Sequence, residues 1–296
     1  ARFPVTEYDY EGMTMLEEGF PAWGLDKIKE TLLDDSDIVV ASYLKCGTTW
    51  MQEIVYQVYT GGNVDEADKT PVYNRFNFLE MNLNIPEESD VKSGLARFHE
   101  EEPPRLIKTH LARNFYKKTL ENKKTKFIVI FRNPKDMLVS YYNFYKFSSF
   151  DFDANGTWEE FFERFKNDKL VNGSYFDMQL SWWACRDDPQ VKIFKYEDML
   201  KDPEQAVRQV AAFLEKDLSD DLILKIVERT SFKFMKRNPM LNYSTFPGMD
   251  HKICPFMRKG QVGDWKNYFT EEQREYVDEM SKTKFESEGL FLEDDA

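Results

Sequence analysis

The sequence predicts an α/β protein whose single domain, residues 1–296, has a central parallel sheet with helices on both faces. Continuous apolar runs typical of buried strands occur along the chain, and segments with apolar residues at helical spacing follow them. Strands that alternate with helices favour a parallel sheet covered on both sides. A chain of 296 residues is also long enough to bury a full core without disulfides or metals.

The predicted elements follow one another in a regular order. Buried strands are expected at residues 38–43, 127–131 and 191–194, and the short segment 105–108 is a further candidate strand that would lead into a site loop. Apolar residues at helical spacing occur over residues 51–58, 138–145 and 207–214. Asn133-Pro134 separates the strand at 127–131 from its helix, and Pro203 suits the first turn of the last helix. The acidic, proline-containing stretch 86–104 is predicted to be a mobile surface loop within the domain.

Composition and charge exclude several classes of function. The formal net charge is −13, whereas a nucleic-acid-binding protein usually presents a basic surface, so we expect no nucleic-acid partner. The three cysteines and three histidines are scattered, without a CxxC pair, which predicts neither a metal site nor a disulfide scaffold. The sequence has no signal-peptide pattern and no apolar run long enough to span a membrane. We therefore expect a cytoplasmic protein without a membrane partner.

The residues after the first strand predict a loop that binds phosphate. In parallel sheets, ligands bind beyond the carboxyl ends of the strands. Here the strand leads through Lys45 and Gly47 to a helix start at Thr48-Thr49, where free N–H groups and the helix dipole favour an anion. The loop is not a Walker A motif, because Lys45 precedes the glycine. A threonine-capped helix after a surface lysine is the alternative interpretation.

Residues 43–50, Tyr-Leu-Lys-Cys-Gly-Thr-Thr-Trp, resemble the 5′-phosphosulfate loop of the cytosolic sulfotransferase family, which is usually written Y-P-K-S-G-T-T-W. Further blocks match in the family's order, at residues 108–111, 132–142 and 258–265. With smaller matches between them, the resemblance covers about residues 38–285. Each block alone is weak, but several spaced blocks in one order are highly specific.

The resemblance implies a sulfotransferase fold with a P-loop-like phosphate loop. It implies an enzyme that transfers a sulfuryl group from 3′-phosphoadenosine 5′-phosphosulfate (PAPS) to a hydroxyl of a small acceptor, with PAP as product and no metal. The donor-binding residues that it implies are Lys45, Cys46, Gly47, Thr48, Thr49, Trp50, Arg132, Ser140, Tyr196, Thr230, Phe232, Phe256, Met257, Arg258, Lys259 and Gly260.

These residues suit the chemistry of PAPS, which carries anionic groups at both ends of a ribose. The loop would hold the phosphosulfate. The resemblance assigns the 3′-phosphate to Arg132, Ser140 and residues 258–260, and arginine suits a planar two-point grip on phosphate. Trp50 and Phe232 would stack on the adenine, while the polar contacts to the ring would come from Tyr196 and Thr230.

The resemblance also assigns the catalytic residues. Sulfuryl transfer is an in-line displacement, so positioning and electrostatics supply most of the catalysis. His110 would remove the proton from the acceptor hydroxyl, since an unperturbed imidazole titrates near neutral pH. Lys45 would stabilise the bridging oxygen as it leaves, and Lys108 would stabilise the transferring group.

The acceptor side is implied by position in the same resemblance. The residues expected to line the acceptor pocket are Phe78, Met81, Lys108, His110, Phe144, Phe150 and Tyr243. Because most of these side chains are aromatic or apolar, we expect an aromatic or otherwise apolar acceptor that carries a hydroxyl.

Two departures from the family pattern carry predictions of their own. The family's dimer motif, K-x-x-x-T-V-x-x-x-E, is present at residues 266–275 with Glu271 in place of valine, so we expect a weakened homodimer between Lys266 and Glu275. Leu44 and Cys46 replace the usual proline and serine of the loop. A helix N-terminus and Lys45 beside Cys46 predict a lowered thiol pKa and sensitivity to oxidation or alkylation.

Other functions remain open from the sequence. A PAPS- or PAP-binding pseudoenzyme or scaffold would keep the nucleotide site without transferase activity, although the presence of both Lys108 and His110 favours an enzyme. A P-loop kinase or NTPase would require Mg²⁺ and ATP. A Golgi-type sulfotransferase acting on sugars is disfavoured by the absence of a signal-anchor pattern.

Overall fold

The computed structural model describes residues 5–82, 94–121, 124–148, 156–246, 249 and 251–293, which form two sheets and fourteen α-helices. The strands are β1 (Glu7–Tyr10), β2 (Met13–Leu16), β3 (Ile38–Ser42), β4 (Asn77–Phe78), β5 (Leu106–Thr109), β6 (Lys126–Phe131) and β7 (Val191–Lys195). The first helices are α1 (Ala22–Glu30), α2 (Thr48–Tyr59), α3 (Val64–Ala67), α4 (Val72–Arg75), α5 (Gly94–Glu100), α6 (Lys117–Leu120) and α7 (Pro134–Phe147).

The remaining helices belong to the second half of the chain. They are α8 (Trp158–Lys166), α9 (Tyr175–Trp183), α10 (Tyr196–Lys201), α11 (Pro203–Phe213), α12 (Asp220–Arg229), α13 (Phe232–Arg237) and α14 (Glu271–Met280). Short 3₁₀ turns cover Arg113–Tyr116, Asp264–Asn267 and Glu286–Glu288, and a π-helical turn covers Ser281–Phe285.

The central sheet has the strand order β4-β5-β3-β6-β7, and every neighbouring pair is parallel. The predicted fold class is therefore confirmed, and the four predicted strands correspond to β3, β5, β6 and β7. The predicted helices correspond to α2, α7 and α11, while α10 forms between β7 and α11 at a place where the sequence predicts no helix.

Alternation along the two central strands builds a core on each face of the sheet. Val39 and Ala41 of β3 pack into one apolar cluster, and Ile38 and Val40 pack into another. The residues of β6 divide between the same two clusters in the same alternating way. Side chains of a strand point alternately to opposite faces, so a continuous apolar run fits a strand covered on both sides.

The topology places one functional edge on the sheet. Within the central sheet, β3 is the first strand along the chain and lies in the centre. The next strands, β4 and β5, lie on one side of it, and β6 and β7 lie on the other. In such sheets the crevice beside the strand where the order reverses, at the carboxyl ends, is the usual ligand site. The segments that follow β3, β5, β6 and β7 therefore meet at one edge.

A small antiparallel hairpin, β1–β2, precedes the central sheet and was missed from the sequence. Its strands pair Glu7 with Leu16 and Tyr10 with Met13, so only Glu11 and Gly12 form the turn. Both turn residues have positive φ, 51° and 87°, the pattern of a type I′ turn. A glycine in a two-residue connection was therefore a usable signal.

Two predictions on chain organisation stay predictions. Residues 94–100 of the predicted mobile stretch 86–104 form α5, and residues 86–93 lie outside the described part of the chain. The extent of the single domain, 1–296, likewise includes residues that the structure does not describe. Within the described ranges, no helix is both long and apolar enough to cross a membrane.

Candidate active site

A cleft at the carboxyl ends of the central strands brings together most of the residues predicted for the site. The predicted residues that line it are Lys45, Gly47, Thr48, Thr49, Trp50, Phe78, Met81, Lys108, His110, Arg132, Ser140, Phe144, Tyr196, Thr230, Phe232, Tyr243, Phe256, Met257, Arg258, Lys259 and Gly260. Cys46 is not among the lining residues, and Phe150 lies outside the described part of the chain. Sequence blocks that are far apart along the chain thus meet in one place.

The loop between β3 and α2 presents an open helix N-terminus to the cleft. The residue before α2 is Gly47, and no side chain of the described residues caps this helix. By contrast, side chains cap α7, α8, α9, α11, α12, α13 and α14. The N–H groups of the first turn of α2 are therefore left for an anion, whose charge the helix dipole stabilises.

Two residues of the loop between β3 and α2 have a positive φ angle, which restricts the residue types that fit there. Gly47 has φ = 102°, and a Cβ atom there would lie 2.7 Å from the Tyr196 ring, so only glycine fits. Lys45 has φ = 66°, a left-handed conformation that costs a non-glycine residue about 1 kcal/mol or more. Arg132 holds this conformation, because its Nη1 donates a hydrogen bond to the Lys45 carbonyl oxygen at 2.8 Å.

Lys45 extends its ammonium group between two aromatic rings. Its Nζ lies 4.7 Å from the centre of the Phe144 ring and 4.2 Å from that of Phe256, within range of cation–π attraction. Burial, together with the nearby charges of Arg132 and Lys108, lowers the pKa of Lys45 to about 7. An anion in the loop would reverse this effect, because it favours the protonated lysine.

Lys108 and His110 stand side by side at the end of β5. The Lys108 Nζ lies 4.1 Å above the Phe78 ring, and the edge of that ring meets the His110 imidazole with centroids 5.2 Å apart. Burial lowers the pKa of Lys108 to about 8, and the carboxyl group of Glu80 opposes the decrease. Phe78, on the edge strand β4, therefore orients both groups from one side.

Hydrogen bonding determines the tautomer of His110. Its Nδ1 lies 2.8 Å from the Ser42 carbonyl oxygen, which can only accept, so Nδ1 carries the hydrogen. The pKa of His110 is well below its ordinary value, first because of burial and second because of the Lys108 charge. The ring is thus neutral at neutral pH, and Nε2 is free of a proton, as a general base requires.

A second cationic group lies at the other end of the cleft. Arg258 and Lys259 both form ion pairs with the carboxylate of Asp264, which also accepts a hydrogen bond from Asn267 at 2.9 Å. Two cations thus share the carboxylate of Asp264. These ion pairs hold both cations in place, and a phosphate would provide a second anionic partner.

Aromatic side chains form the wall between the cationic groups. The rings of Trp50 and Tyr196 meet edge to face with centroids 5.6 Å apart, and the Arg132 guanidinium lies 4.3 Å from the Tyr196 ring. Phe232 is 36% exposed, more than a core aromatic, and a Cβ atom at Gly260 would collide with its ring. Phe232 and Gly260 are therefore closely packed, while about a third of Phe232 stays exposed.

The far wall of the cleft contains residues that the sequence interpretation missed. The additional apolar lining residues include Leu16, Phe20, Val171, Phe246 and Met249, and the polar ones include Glu18 and Asn172. Phe20 packs edge to face on Phe78 with centroids 5.9 Å apart. These side chains come from the β1–β2 hairpin and from loops without sequence motifs, so only the hairpin turn could have pointed to them.

The prediction of a reactive Cys46 thiol is wrong. The Cys46 side chain is fully buried, and its Sγ lies 3.8 Å from Gln179 Nε2 and 3.8 Å from the Leu44 carbonyl oxygen. Burial raises the pKa of this thiol well above its ordinary value, and the opposing effect of Arg132 is smaller. The helix dipole and Lys45 do not dominate, because the thiol points into the core instead of the cleft.

Comparison with known proteins agrees with this geometry. The model of the family described as "Sulfotransferase domain" matches residues 35–289, most of the chain. This chain belongs to the sulfotransferase family. Among curated relatives, mouse sulfotransferase 1A1 is 41% identical over 277 residues, which covers 93% of this chain and 89% of the relative. Human sulfotransferase 1C2 is 40% identical over 256 residues, which covers 86% of this chain and 84% of the relative.

Solved structures give the same result for the fold. A retinol dehydratase in complex with androsterone and PAP superposes with a TM-score of 0.84 at 25% identity, over 98% of this chain and 92% of that one. A mouse sulfotransferase, SULT7A1, in complex with PAP superposes with a TM-score of 0.72 at 29% identity, over 94% of this chain and 93% of that one.

The comparisons confirm several predictions made from the sequence. The resemblance to the cytosolic sulfotransferases is confirmed, and the protein is an enzyme that transfers a sulfuryl group to a hydroxyl acceptor. The family match removes the P-loop kinase or NTPase as an alternative. The roles of individual residues are not tested by these similarities.

The burial of Cys46 predicts how the cysteines react. N-Ethylmaleimide should modify half-buried Cys185 and Cys254 in the native protein, while Cys46 should react only after unfolding, because its thiol is buried and protonated. Mass spectrometry of peptides from native and urea-unfolded samples measures this, with Cys46→Ser as the control for assignment. Modification of Cys46 as fast as that of Cys254 in the native protein would contradict it.

Proposed function

We propose that this sulfotransferase moves the sulfuryl group of PAPS to the hydroxyl of a small, largely apolar acceptor and releases PAP. The observation that carries the proposal is one cleft with an open, cationic helix N-terminus next to a neutral histidine base and an apolar wall. Relatives whose structures contain PAP support the identity of the donor.

The donor would bind along the cationic side of the cleft. The phosphosulfate would bind at the open N-terminus of α2, with the hydroxyls of Thr48 and Thr49 and the N–H groups of the loop as donors. The 3′-phosphate would bind between Ser140 and the Arg258-Lys259-Gly260 segment, with Arg132 completing the set. The exposed ring of Phe232, together with Trp50, Tyr196 and Thr230, provides the adenine site.

The predicted residues that remain have simpler places in this proposal. Phe256 would shield Lys45 from water, since its ring lies against the ammonium group. Met257 lines the cleft beside Arg258. Because the Cys46 side chain points into the core, Cys46 would contribute only its backbone to the phosphate loop.

The transfer step follows from the three groups around the reacting atoms. As the acceptor oxygen attacks sulfur, His110 Nε2 takes the hydroxyl proton. The bond between sulfur and the bridging oxygen breaks in line, and the bond electrons stay with that oxygen. Lys45 would stabilise the negative charge on the leaving oxygen, and Lys108 would stabilise the oxygens of the transferring group.

The acceptor would bind against the apolar wall. Phe78, Met81, Phe144 and Tyr243 line this part of the cleft, together with Phe20 and its apolar neighbours. A relative of known structure binds retinol or androsterone, which supports an apolar acceptor for this chain. Phe150, also predicted for this pocket, lies outside the described residues.

Replacement of the proposed base should separate transfer from nucleotide binding. His110→Ala should lower kcat/KM by at least about 10²-fold, because general base catalysis is lost, while the Kd for PAP changes less than about twofold. Transfer of radiolabelled sulfate to phenols, sterols and apolar alcohols measures the first quantity, and calorimetry measures the second. Exposed His99, on α5, provides the matched control His99→Ala, which should keep wild-type activity.

The same experiment distinguishes the alternatives. Binding of PAP without transfer to any acceptor of a broad panel would support a PAPS- or PAP-binding pseudoenzyme or scaffold. Transfer to a polar sugar, with no transfer to phenols, sterols or apolar alcohols, would contradict the apolar acceptor.

Nucleotide affinity should fall at alkaline pH. The pKa of Lys45 is lowered to about 7 and that of Lys108 to about 8, so both lose their charge as the pH rises. PAP binding must then restore the protons, and the Kd should increase about tenfold or more between pH 7.5 and 9. Lys45→Met should bind PAP weakly with a smaller pH slope. A wild-type Kd that stays constant over this range would contradict the lowered pKa values.

We also propose that the protein acts in the cytoplasm, without nucleic-acid, membrane or metal partners, and forms at most a weak homodimer. Within the dimer motif, Thr270 caps α14 and Glu271 forms an ion pair with Arg274, so a charge stands where the family has valine. Sedimentation should therefore show mostly monomer at micromolar concentration, and Glu271→Val should increase the dimer fraction. A stable wild-type dimer would contradict the weak homodimer. Nuclear or membrane localisation of a fluorescent fusion would contradict the proposed cytoplasmic location.

A further inference from the structure

Glu80 is a buried carboxyl directly behind the proposed transfer groups, and no sequence motif pointed to it. Only 1% of the Glu80 surface is exposed. Oε1 accepts a hydrogen bond from the backbone N–H of His110 at 2.5 Å. Oε2 is also buried, and the Thr109 hydroxyl is the side-chain group that acts on the carboxyl beside it. A fully buried carboxylate is costly, so it invites a functional explanation.

The backbone around Glu80 connects it to the functional edge of the sheet. β4 ends at Phe78, and the N–H of Leu79 continues the pairing by donating to the Lys108 carbonyl oxygen at 3.3 Å. One residue past the end of β5, the N–H of His110 donates its hydrogen bond to the Glu80 side chain instead of to a backbone carbonyl. Glu80 therefore fixes the backbone at the point where β5 ends and the His110 ring turns into the cleft.

Few charged and polar groups act on the Glu80 carboxyl. Lys108 is the cation that acts on it, and the neighbouring polar groups are the backbone of His110 and the hydroxyls of Thr109 and Tyr116. Tyr116 donates to Thr109 at 2.8 Å, which ties this group to the turn after β5. The charge of Lys45 opposes protonation of His110, and the charge of Lys108 opposes protonation of Lys45.

Glu80 and Lys108 influence the charge of one another. Burial raises the pKa of Glu80 to about 7, while the hydrogen bond from His110 and the charge of Lys108 oppose the increase. In turn, the negative charge of Glu80 raises the pKa of Lys108 against the effect of burial. Glu80 is the charged group that opposes the effect of burial on Lys108.

We propose that Glu80 is a positioning residue of the transfer step, which fixes the backbone of His110 and keeps Lys108 protonated. This role rests on the proposed function, since it assumes that His110 and Lys108 act on the acceptor and the sulfuryl group. Glu80 itself does not line the cleft and touches no substrate.

Glu197, on α10, provides a matched control elsewhere on the same sheet edge. Its Oε1 accepts a hydrogen bond from the backbone N–H of Asn133 at 2.9 Å, and its Oε2 is also buried without a partner among the described residues. It contacts the segment that follows β6 and interacts with Arg132, not with the transfer groups Lys108 and His110. A general effect of removing a buried carboxylate should therefore appear in both Glu80→Gln and Glu197→Gln.

The decisive variant is Glu80→Gln, which keeps the acceptor oxygen for His110 and removes only the charge. The alkaline limb of kcat should shift by about one pH unit or more to lower pH, because loss of a nearby anion lowers the pKa of Lys108. KM for PAPS should change less than about twofold and Tm should change little. Glu197→Gln should leave the alkaline limb in place.

A second variant separates the two parts of the role. Glu80→Asp keeps the charge but shortens the reach to His110, so it should restore the pH profile while kcat remains lowered. A Glu80→Gln enzyme with the wild-type kcat and pH profile would overturn the proposal. Loss of activity in step with a lower Tm and weaker PAP binding would also overturn it, since the role would then be structural only.

Failure of the proposed function would be recognised separately. If the wild-type protein transferred sulfate to no acceptor, the charge of Lys108 can still be followed by NMR titration of ¹³C-labelled lysine, with Lys108→Met to assign the signal. A lower Lys108 pKa in Glu80→Gln would support the coupling in that case, and an unchanged pKa would overturn it.

Discussion

The structure depends on holding several positive charges together in a cleft that is partly shielded from water. Lys45, Lys108 and Arg132 lie at the ends of three neighbouring parallel strands, and the charges of Arg132 and Lys108 disfavour the protonated form of Lys45. Burial is the main reason why the pKa of Lys45 is lowered to about 7 and that of Lys108 to about 8. A site built in this way accepts an anion strongly, because the ligand restores what burial has removed.

Aromatic rings and hydrogen-bond acceptors stabilise these clustered positive charges in the absence of a ligand. Phe144 and Phe256 flank Lys45, Phe78 supports Lys108, and the Tyr196 ring lies against Arg132. The same rings line the proposed acceptor wall and adenine site, so one set of side chains would serve both the charges and the apolar ligand surfaces. The high aromatic content of the sequence is thus explained by the site as well as by the core.

Much of the fold and of the donor site could be predicted from the sequence. The runs at β3 and β6 are apolar over their whole length, since both faces are buried, and such patterns are visible without any tertiary information. The phosphate loop was also predictable, because a strand, a glycine and a helix start must follow one another directly. By contrast, β4 has two residues and the hairpin strands four each, so neither carries a periodic pattern long enough to stand out.

The sequence by itself determined the long parallel strands and the helices that follow them, the predicted phosphate loop and the identity of the groups that carry charge. Only the tertiary structure decided what these groups become. Cys46 and Lys45 are neighbours in the loop, yet one side chain points into the core and the other into the cleft. Glu80 gains its place behind His110 because an edge strand pairs with β5. Burial and hydrogen-bond partners set the protonation of a side chain, and both depend on contacts between segments that are distant in the sequence.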